Sequence, residues 1–546
     1  MTIGQRTKSA DASANRIANA AIGALAIVAC TTVLYATRWG PSAGTDSVAY
    51  IDVGRNLAGG RGLVEVQASG DIVPLGLRPP MYPILLAAAG ILGLDFMVWA
   101  RALDAGLFIL FLLSLGLAAS KLCGKPTLGA LLCLSALSWP AMLGIFTSAM
   151  SEPLFFTLGA ATIVLGVWYA EVRRPGLLIA AGILGGAAWL TRYVGLAFIL
   201  SVMLVLAVDH RRPFRDRARA ILVYAALSIS PFLLWSLNTI LRGGVLGTMD
   251  TVRVGLWDAL EPVRNALVHM AWALLPTAQL PEYPYRVKLA ALSVGALLIL
   301  APSLSRAFRE HRQARWSFLS DSTFLLTIAF AGLAIFSTLI LGATYVAIEY
   351  PKPALDERVL SPVFLGAGVA SLMSLFYAWD GRRGGRLVWI VPVGLTLVFL
   401  WGHLPASRAL VELLHNEGQG YSSRAWQESG VIRAVQALPA DITLVSNDAD
   451  AILLFAGRAA YRMTELESRI PVQHFSRYGD DQTDPIQRLF RERQAALVLF
   501  DGAYWQFEPI YGEDTSLKLE SLTAGLVLYT ENWDGAIYFF PGQEPR

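Results

Sequence analysis

A few acids and arginines, set in long uncharged apolar sequence, carry whatever chemistry this chain performs. Asp46 stands in Gly44-Thr45-Asp46-Ser47-Val48-Ala49-Tyr50, just after the first apolar run. Downstream come Asp52, the turn Gly59-Gly60-Arg61-Gly62, and Arg78-Pro79-Pro80-Met81-Tyr82-Pro83. Arg101 and Asp104 are one helical turn apart, Glu152 follows Thr147-Ser148-Ala149-Met150-Ser151, and Arg192 sits in Leu190-Thr191-Arg192-Tyr193. Lys352 lies in Glu349-Tyr350-Pro351-Lys352-Pro353, and Arg358 opens Arg358-Val359-Leu360-Ser361-Pro362. A carboxylate at the edge of an apolar run is costly unless it serves something. Guanidinium forks match phosphate oxygens, and one positioned carboxylate can take the proton of an attacking hydroxyl.

The elements that must position these groups are membrane helices. Only 16% of the 546 residues are charged and the mean hydropathy is +0.50, against about 25% charge in soluble domains. Apolar runs near the ~20 residues of a bilayer span recur over roughly the first 400 positions. About eleven spans are expected, at 17–37, 98–120, 127–147, 153–171, 176–190, 193–208, 220–241, 287–304, 322–346, 359–379 and 387–403. The first reads as a retained span rather than a cleaved signal. Cys30, Cys123 and Cys133 are the three cysteines, too few and too apolar in setting for a disulfide framework.

The lysines and arginines test this arrangement. The groups Arg6/Lys8/Arg16, Lys121/Lys125, Arg173/Arg174, Arg211 to Arg219, Arg306 to Arg315 and Arg382/Arg383/Arg386 all fall on one side, the cytoplasm. Counting Pro79 to Leu94 as a span would reverse every later loop. That stretch is therefore expected to be a re-entrant or interfacial helix. The fold expected is a polytopic α-helical membrane protein, 1–403 with its first outer loop at 38–97, followed by a small extracytoplasmic α/β domain at 404–546. That last part carries 12 Lys+Arg against 20 Asp+Glu, which suits export. Strands are expected at Ile442–Ser446, Ala496–Phe500, Leu526–Thr530 and Ala536–Phe540, and helices at Ala449–Phe455 and Asp484–Arg493.

With this sidedness Asp46, Asp52, Arg78, Arg101, Asp104, Glu152, Arg192, Lys352 and Arg358 share the outer face. A sugar on a polyprenyl phosphate presents its phosphate at headgroup depth. Once neutralised, that phosphate leaves without a strong general acid. Asp46 is then the catalytic base; Arg78, Tyr82, Arg101, Arg192, Lys352 and Arg358 bind substrate; Glu152 joins Asp46 in holding a divalent cation or orients the acceptor. A single in-line displacement inverts the anomeric carbon. Each residue also has a structural reading. Thr45-Asp46 suits a helix N-cap, Asp52 a solvated helix face, Arg101/Asp104 an i,i+3 pair, and Arg192 and Arg358 snorkelling side chains. The cytoplasmic basic loops are topology signals, not nucleic-acid patches, and Gly59 to Gly62 lacks the strand-before, helix-after context of a phosphate loop.

The Asp46 loop with Tyr50 and Asn56-Leu57-Ala58-Gly59-Gly60, followed by Arg78-Pro79-Pro80-Met81-Tyr82-Pro83, resembles the first-loop signature of GT-C fold glycosyltransferases. The similarity is to the protein mannosyltransferase-like proteins of family 39 and the bacterial aminoarabinose transferases. Ser151-Glu152, Leu190-Thr191-Arg192 and Arg358-Val359-Leu360-Ser361-Pro362 follow in the family's order, and Val445-Ser446-Asn447-Asp448 with Gly457-Arg458 is similar to the outer domain of bacterial members. Asp46-Ser47 departs from the Asp-Glu of yeast-type enzymes, so Ser/Thr mannosylation is not implied. Arg78 stands where the family has His or Lys, and keeps a cation there. The resemblance implies a polyprenyl-phosphate sugar donor, an envelope acceptor (glycolipid, polysaccharide or protein) and a place in the bacterial plasma membrane. The alternatives are a transporter or flippase, and a non-catalytic subunit of the same fold.

Overall fold

A computed structural model describes residues 3–66, 72–244, 321–347, 356–380, 390–463, 495–502 and 515–545. In chain order its elements are α1 Ile3–Ala36, α2 Thr45–Ala58, β1 Val64–Val66, β2 Ile72–Pro74, α3 Met81–Leu92, α4 Phe96–Leu117, α5 Pro126–Ser138, α6 Pro140–Phe146, α7 Glu152–Val172, α8 Pro175–Trp189, α9 Leu196–Val208 and α10 Phe214–Leu241. There follow α11 Ser322–Ala347, α12 Glu357–Asp380, α13 Ile390–Asn416, α14 Arg424–Gln427, α15 Gly430–Ala437, β3 Thr443–Ser446, α16 Ala449–Ala456, β4 Tyr461–Arg462, β5 Ala495–Phe500, α17 Thr515–Thr523, β6 Val527–Asn532 and β7 Gly535–Phe539. The chain is a polytopic helical membrane protein with a small sheet domain. It forms two compact units.

The first unit comprises residues 1–41, 76–82 and 97–416. Among the described residues seven helices are long and apolar enough to cross a membrane, or eight if α5 and α6 form one span bent by 75°. The bend falls at Trp139-Pro140, where Trp139 is extended because a residue before proline is driven out of the helical region. The expected spans 176–190 and 193–208 are shorter apolar helices. At 15 residues α8 reaches only about 22 Å, short of the ~30 Å hydrocarbon core. The 287–304 span lies outside the described residues. The helix expected to stop at 403 continues to Asn416. Close helix approach rests on small residues: a Cβ on Gly159 would lie 2.2 Å from the Phe198 ring, and one on Gly366 2.6 Å from the Phe330 carbonyl oxygen.

The second unit joins residues 42–75 and 83–96 to 417–546. Most of the segment between α1 and α4 thus folds with the C-terminal part. Its sheet has the order β4-β3-β5-β7-β6, parallel between β3 and its two neighbours and antiparallel onward. Alternate residues of β5 feed two cores. Ala496, Val498 and Phe500 pack with Val431, Val435 and Ile452, while Ala495 and Leu497 pack with Tyr461 and Leu522. That period of two, buried on both faces, is why the strand reads as a continuous apolar run. Asn447 braces the strand ends, donating to the Phe500 carbonyl (3.2 Å) and accepting from the Phe500 N–H (2.8 Å). Arg458 donates to the carbonyls of Val435, Leu438 and Ile442. Four of the expected strands and the helix at 449–455 are present, and 484–493 lies outside the described residues.

In this unit α2 packs on α3, a Cβ on Gly54 coming 3.2 Å from the Leu86 Cβ. Asp52 is buried, not on a solvated face as expected. Its Oδ2 accepts from the Val66 N–H (3.0 Å) and Asn56 Nδ2 (3.1 Å), and Asn56 also donates to the Val64 carbonyl. One carboxylate thereby holds the β1–β2 hairpin against the helix.

Candidate active site

The first unit assembles three of the expected residues around one oxygen. Glu152 begins α7 and is almost wholly buried; Arg192 lies in the turn between α8 and α9; Arg358 is in the first turn of α12. Arg192 NH1 is 2.7 Å from Glu152 Oε1, and Arg358 Nε is 3.5 Å from the same atom. Ser151 ties the group together: its hydroxyl accepts from Arg192 NH1 (3.2 Å) and donates to Glu152 Oε2 (3.3 Å). Arg358 also donates to the Met150 sulfur. Exposure grades outward, from 2% at Glu152 to 23% at Arg192 and 41% at Arg358. Two guanidiniums thus meet one carboxylate at three helix ends far apart in the sequence.

The segment carrying Arg78 is stitched to the turn that bears Arg192. Met81 N–H donates to the Leu190 carbonyl (2.9 Å) and the Tyr193 hydroxyl to the Gly76 carbonyl (3.1 Å). Tyr82, at the start of α3, is fully buried. Arg101 takes a different role from the one expected. It donates to Thr37 Oγ1 (3.1 Å) and to the Leu34 carbonyl, satisfying the open end of α1. Asp104 is fully buried, neither of its oxygens has a hydrogen-bond partner among the described residues, and it lies within electrostatic reach of Glu152. Sequence reasoning missed its burial, which the apolar run around it (Phe96 to Leu117) would have signalled. Lys352 lies outside the described residues.

In the second unit Asp46 occupies the first turn of α2, where the helix dipole favours a carboxylate. The N-cap is Gly44, not Thr45 or Asp46; Gly44 N–H donates to Ser47 Oγ (3.1 Å). The cation-holding role expected of Glu152 does not fit the residues. Its Oε1 is taken by two guanidiniums, and among the described residues no group of three or more His, Cys, Asp or Glu could hold a metal ion. No step through a metal is therefore derived.

No family model matches the chain, and no curated protein matches it. Solved structures do. ArnT from Cupriavidus metallidurans, bound to undecaprenyl phosphate, is 14% identical with a TM-score of 0.50, over 96% of this chain and 98% of that one. The Archaeoglobus fulgidus oligosaccharyltransferase in the apo form is 10% identical at TM-score 0.48, over 95% of this chain and 74% of that one. AglB from the same organism, in complex with an inhibitory peptide and a dolichol-phosphate, is 10% identical at TM-score 0.47, over 96% and 74%. At such identities the likeness is one of architecture, and the chain has the GT-C fold of ArnT.

Proposed function

We propose that this protein is a membrane glycosyltransferase. It moves a sugar from a polyprenyl-phosphate donor to a cell-envelope acceptor, whether glycolipid, polysaccharide or protein, at the outer face of a bacterial plasma membrane. The observation that carries the reading is the pairing of Arg192 and Arg358 on the buried Glu152. Such a carboxylate fixes two guanidinium planes at little reorganisation cost, and charge growing on a departing phosphate is what preorganised cations stabilise. Arg358, the more exposed, is assigned to the donor phosphate, with Arg192 and Arg78 supporting it. Asp46 is assigned to take the proton of the acceptor hydroxyl as it attacks. The bond from the anomeric carbon to the phosphate oxygen breaks as the new one forms, so the anomeric configuration inverts. The electron pair leaves on the phosphate.

One observation favours the second reading, transport. Asp104 lies inside a span, about 12 Å along it, and has no hydrogen-bond partner among the described residues; intramembrane carboxyls often mark substrate paths. Purified protein incubated with synthetic undecaprenyl-phosphate sugars and envelope extract separates the two. Release of undecaprenyl phosphate with transfer of the sugar, lost in Asp46→Asn, supports the enzyme. Movement of intact donor across proteoliposomes without turnover supports transport.

A further inference from the structure

The loop that carries Asp46 is tied at both ends to one helix of the C-terminal sheet domain, α16. Ahead of α2, Ala43 pairs with Gly420 in a parallel bridge, and its carbonyl accepts from the Tyr421 N–H (2.9 Å). The approach is close: Gly420 has φ +59, and a Cβ there would lie 2.0 Å from the Ala43 carbonyl oxygen. The Tyr421 hydroxyl then donates to Asp448 Oδ1 (2.8 Å), and the same oxygen accepts from the Ala451 N–H, capping α16. Near the far end of α2, Arg55 donates through NH1 to the Leu453 carbonyl (3.2 Å) and through NH2 to the Leu454 carbonyl (2.9 Å). These belong to the last turn of α16, the end of the helix that attracts a cation; the Leu453 carbonyl also accepts from the Gly457 N–H. Arg55 is also stacked over the Phe96 ring (5.7 Å). Asp46 lies between these two tethers, and both fall within one compact unit.

We propose that Arg55 and Tyr421 are positioning residues for Asp46, so that the C-terminal domain is an integral part of the transfer machinery and not an appended module. The inference rests on the reading of Asp46 as the base. A helix held at one end only can pivot, and a displacement near 1 Å at a reacting group is enough to cost on the order of a hundredfold in rate.

The test uses the full-length protein in nanodiscs, with the undecaprenyl-phosphate sugar that supports turnover. Arg55→Ala should lower kcat roughly ten- to hundredfold with donor KM little changed. Arg55→Lys, which can serve one carbonyl but not both, should recover part of it. Tyr421→Phe, which keeps the ring and loses the hydroxyl, should lower kcat a few-fold. Hydrogen exchange of the peptide 45–58 should quicken in Arg55→Ala and Tyr421→Phe, independently of any activity. If Arg55→Ala does not fold, Tyr421→Phe carries both readouts. Wild-type kcat together with wild-type exchange in these variants, while Asp46→Asn is inactive, overturns the tethering. An active Asp46→Asn overturns the base assignment instead, and the exchange result still decides whether the tethers hold the helix.

Discussion

At the residue scale, the two arginines on Glu152 are not equivalent. Arg192 makes the short contact and is mostly enclosed, whereas Arg358 is farther from the shared oxygen and more open. Removing Arg192 leaves a buried carboxylate half answered. Arg192→Ala should therefore cost stability, about 1–3 kcal/mol for a bond to a charged group, read as a lower thermal midpoint in detergent. Arg358→Ala should leave stability nearer wild type, raise donor KM and lower kcat. Arg358→Lys should be intermediate, because an ammonium keeps the charge but not the fork. Snorkelling alone predicts no such ranking: Lys would equal Arg in donor kinetics and Ala would lower only stability. The residue types and their order were readable from sequence. Their pairing was not, because sidedness places Glu152, Arg192 and Arg358 on one face without saying which oxygen they share. Arg101 shows the same limit: an i,i+3 acid was available, yet the open carbonyl of Leu34 and the Thr37 hydroxyl on another helix took the guanidinium.

At the element scale, α2 is shaped by contacts that sequence periodicity does not encode. The hairpin strands Val64–Val66 and Ile72–Pro74 are three residues each, too short to show alternation, so the reason for burying Asp52 was invisible. Arg55 meets carbonyls nearly four hundred positions away, beyond any local pattern. The long strand Ala495–Phe500 and the capped helix Ala449–Ala456 were clear because local signals and tertiary burial agree there. The helix α13 runs past the end of its apolar stretch because Ala, Leu and Glu at 406–414 remain good helix formers. Burial also sets a pH dependence in this unit. Burial, more than any other influence, pushes the Asp52 and Asp448 carboxyls above their ordinary 3.8. A folded-state value above the unfolded one means the folded protein binds the proton more tightly. The stabilising contribution is thus fully present below the unfolded value and is lost as pH rises through the folded one. An Asn at position 448 can still accept from Ala451 N–H and the Tyr421 hydroxyl. Asp448→Asn should flatten the fall in thermal midpoint as pH rises above the ordinary carboxyl range. An unchanged slope would show that this carboxyl does not titrate with folding.

At the scale of the whole molecule, sidedness decides whether the proposed chemistry has a substrate. Several of the basic groups fall between consecutive helices of the first unit. Lys121 and Lys125 lie between α4 and α5, Arg173 and Arg174 between α7 and α8, and Arg211 between α9 and α10. Between the first two of these loops lie α5 with α6 and then α7, with the Glu152 end at the turn between them. Met81–Leu92 is a twelve-residue apolar helix, about 18 Å long and too short to span. On the arrangement we propose from the basic loops, Glu152, Arg192 and Arg358 and the acidic C-terminal part lie outside, since basic loops stay inside. We expect alkaline phosphatase fused after residue 546 to be active and a cytoplasmic fluorescent reporter at the same place to be dark. Fusions after Lys125 and after Arg174 should behave in the reverse sense. Active phosphatase at those two basic loops, with a fluorescent C-terminus, would place the arginine pair in the cytoplasm. There, sugars are available as soluble nucleotide donors. A site built for a lipid-linked phosphate at the outer headgroups would then have no reason to exist.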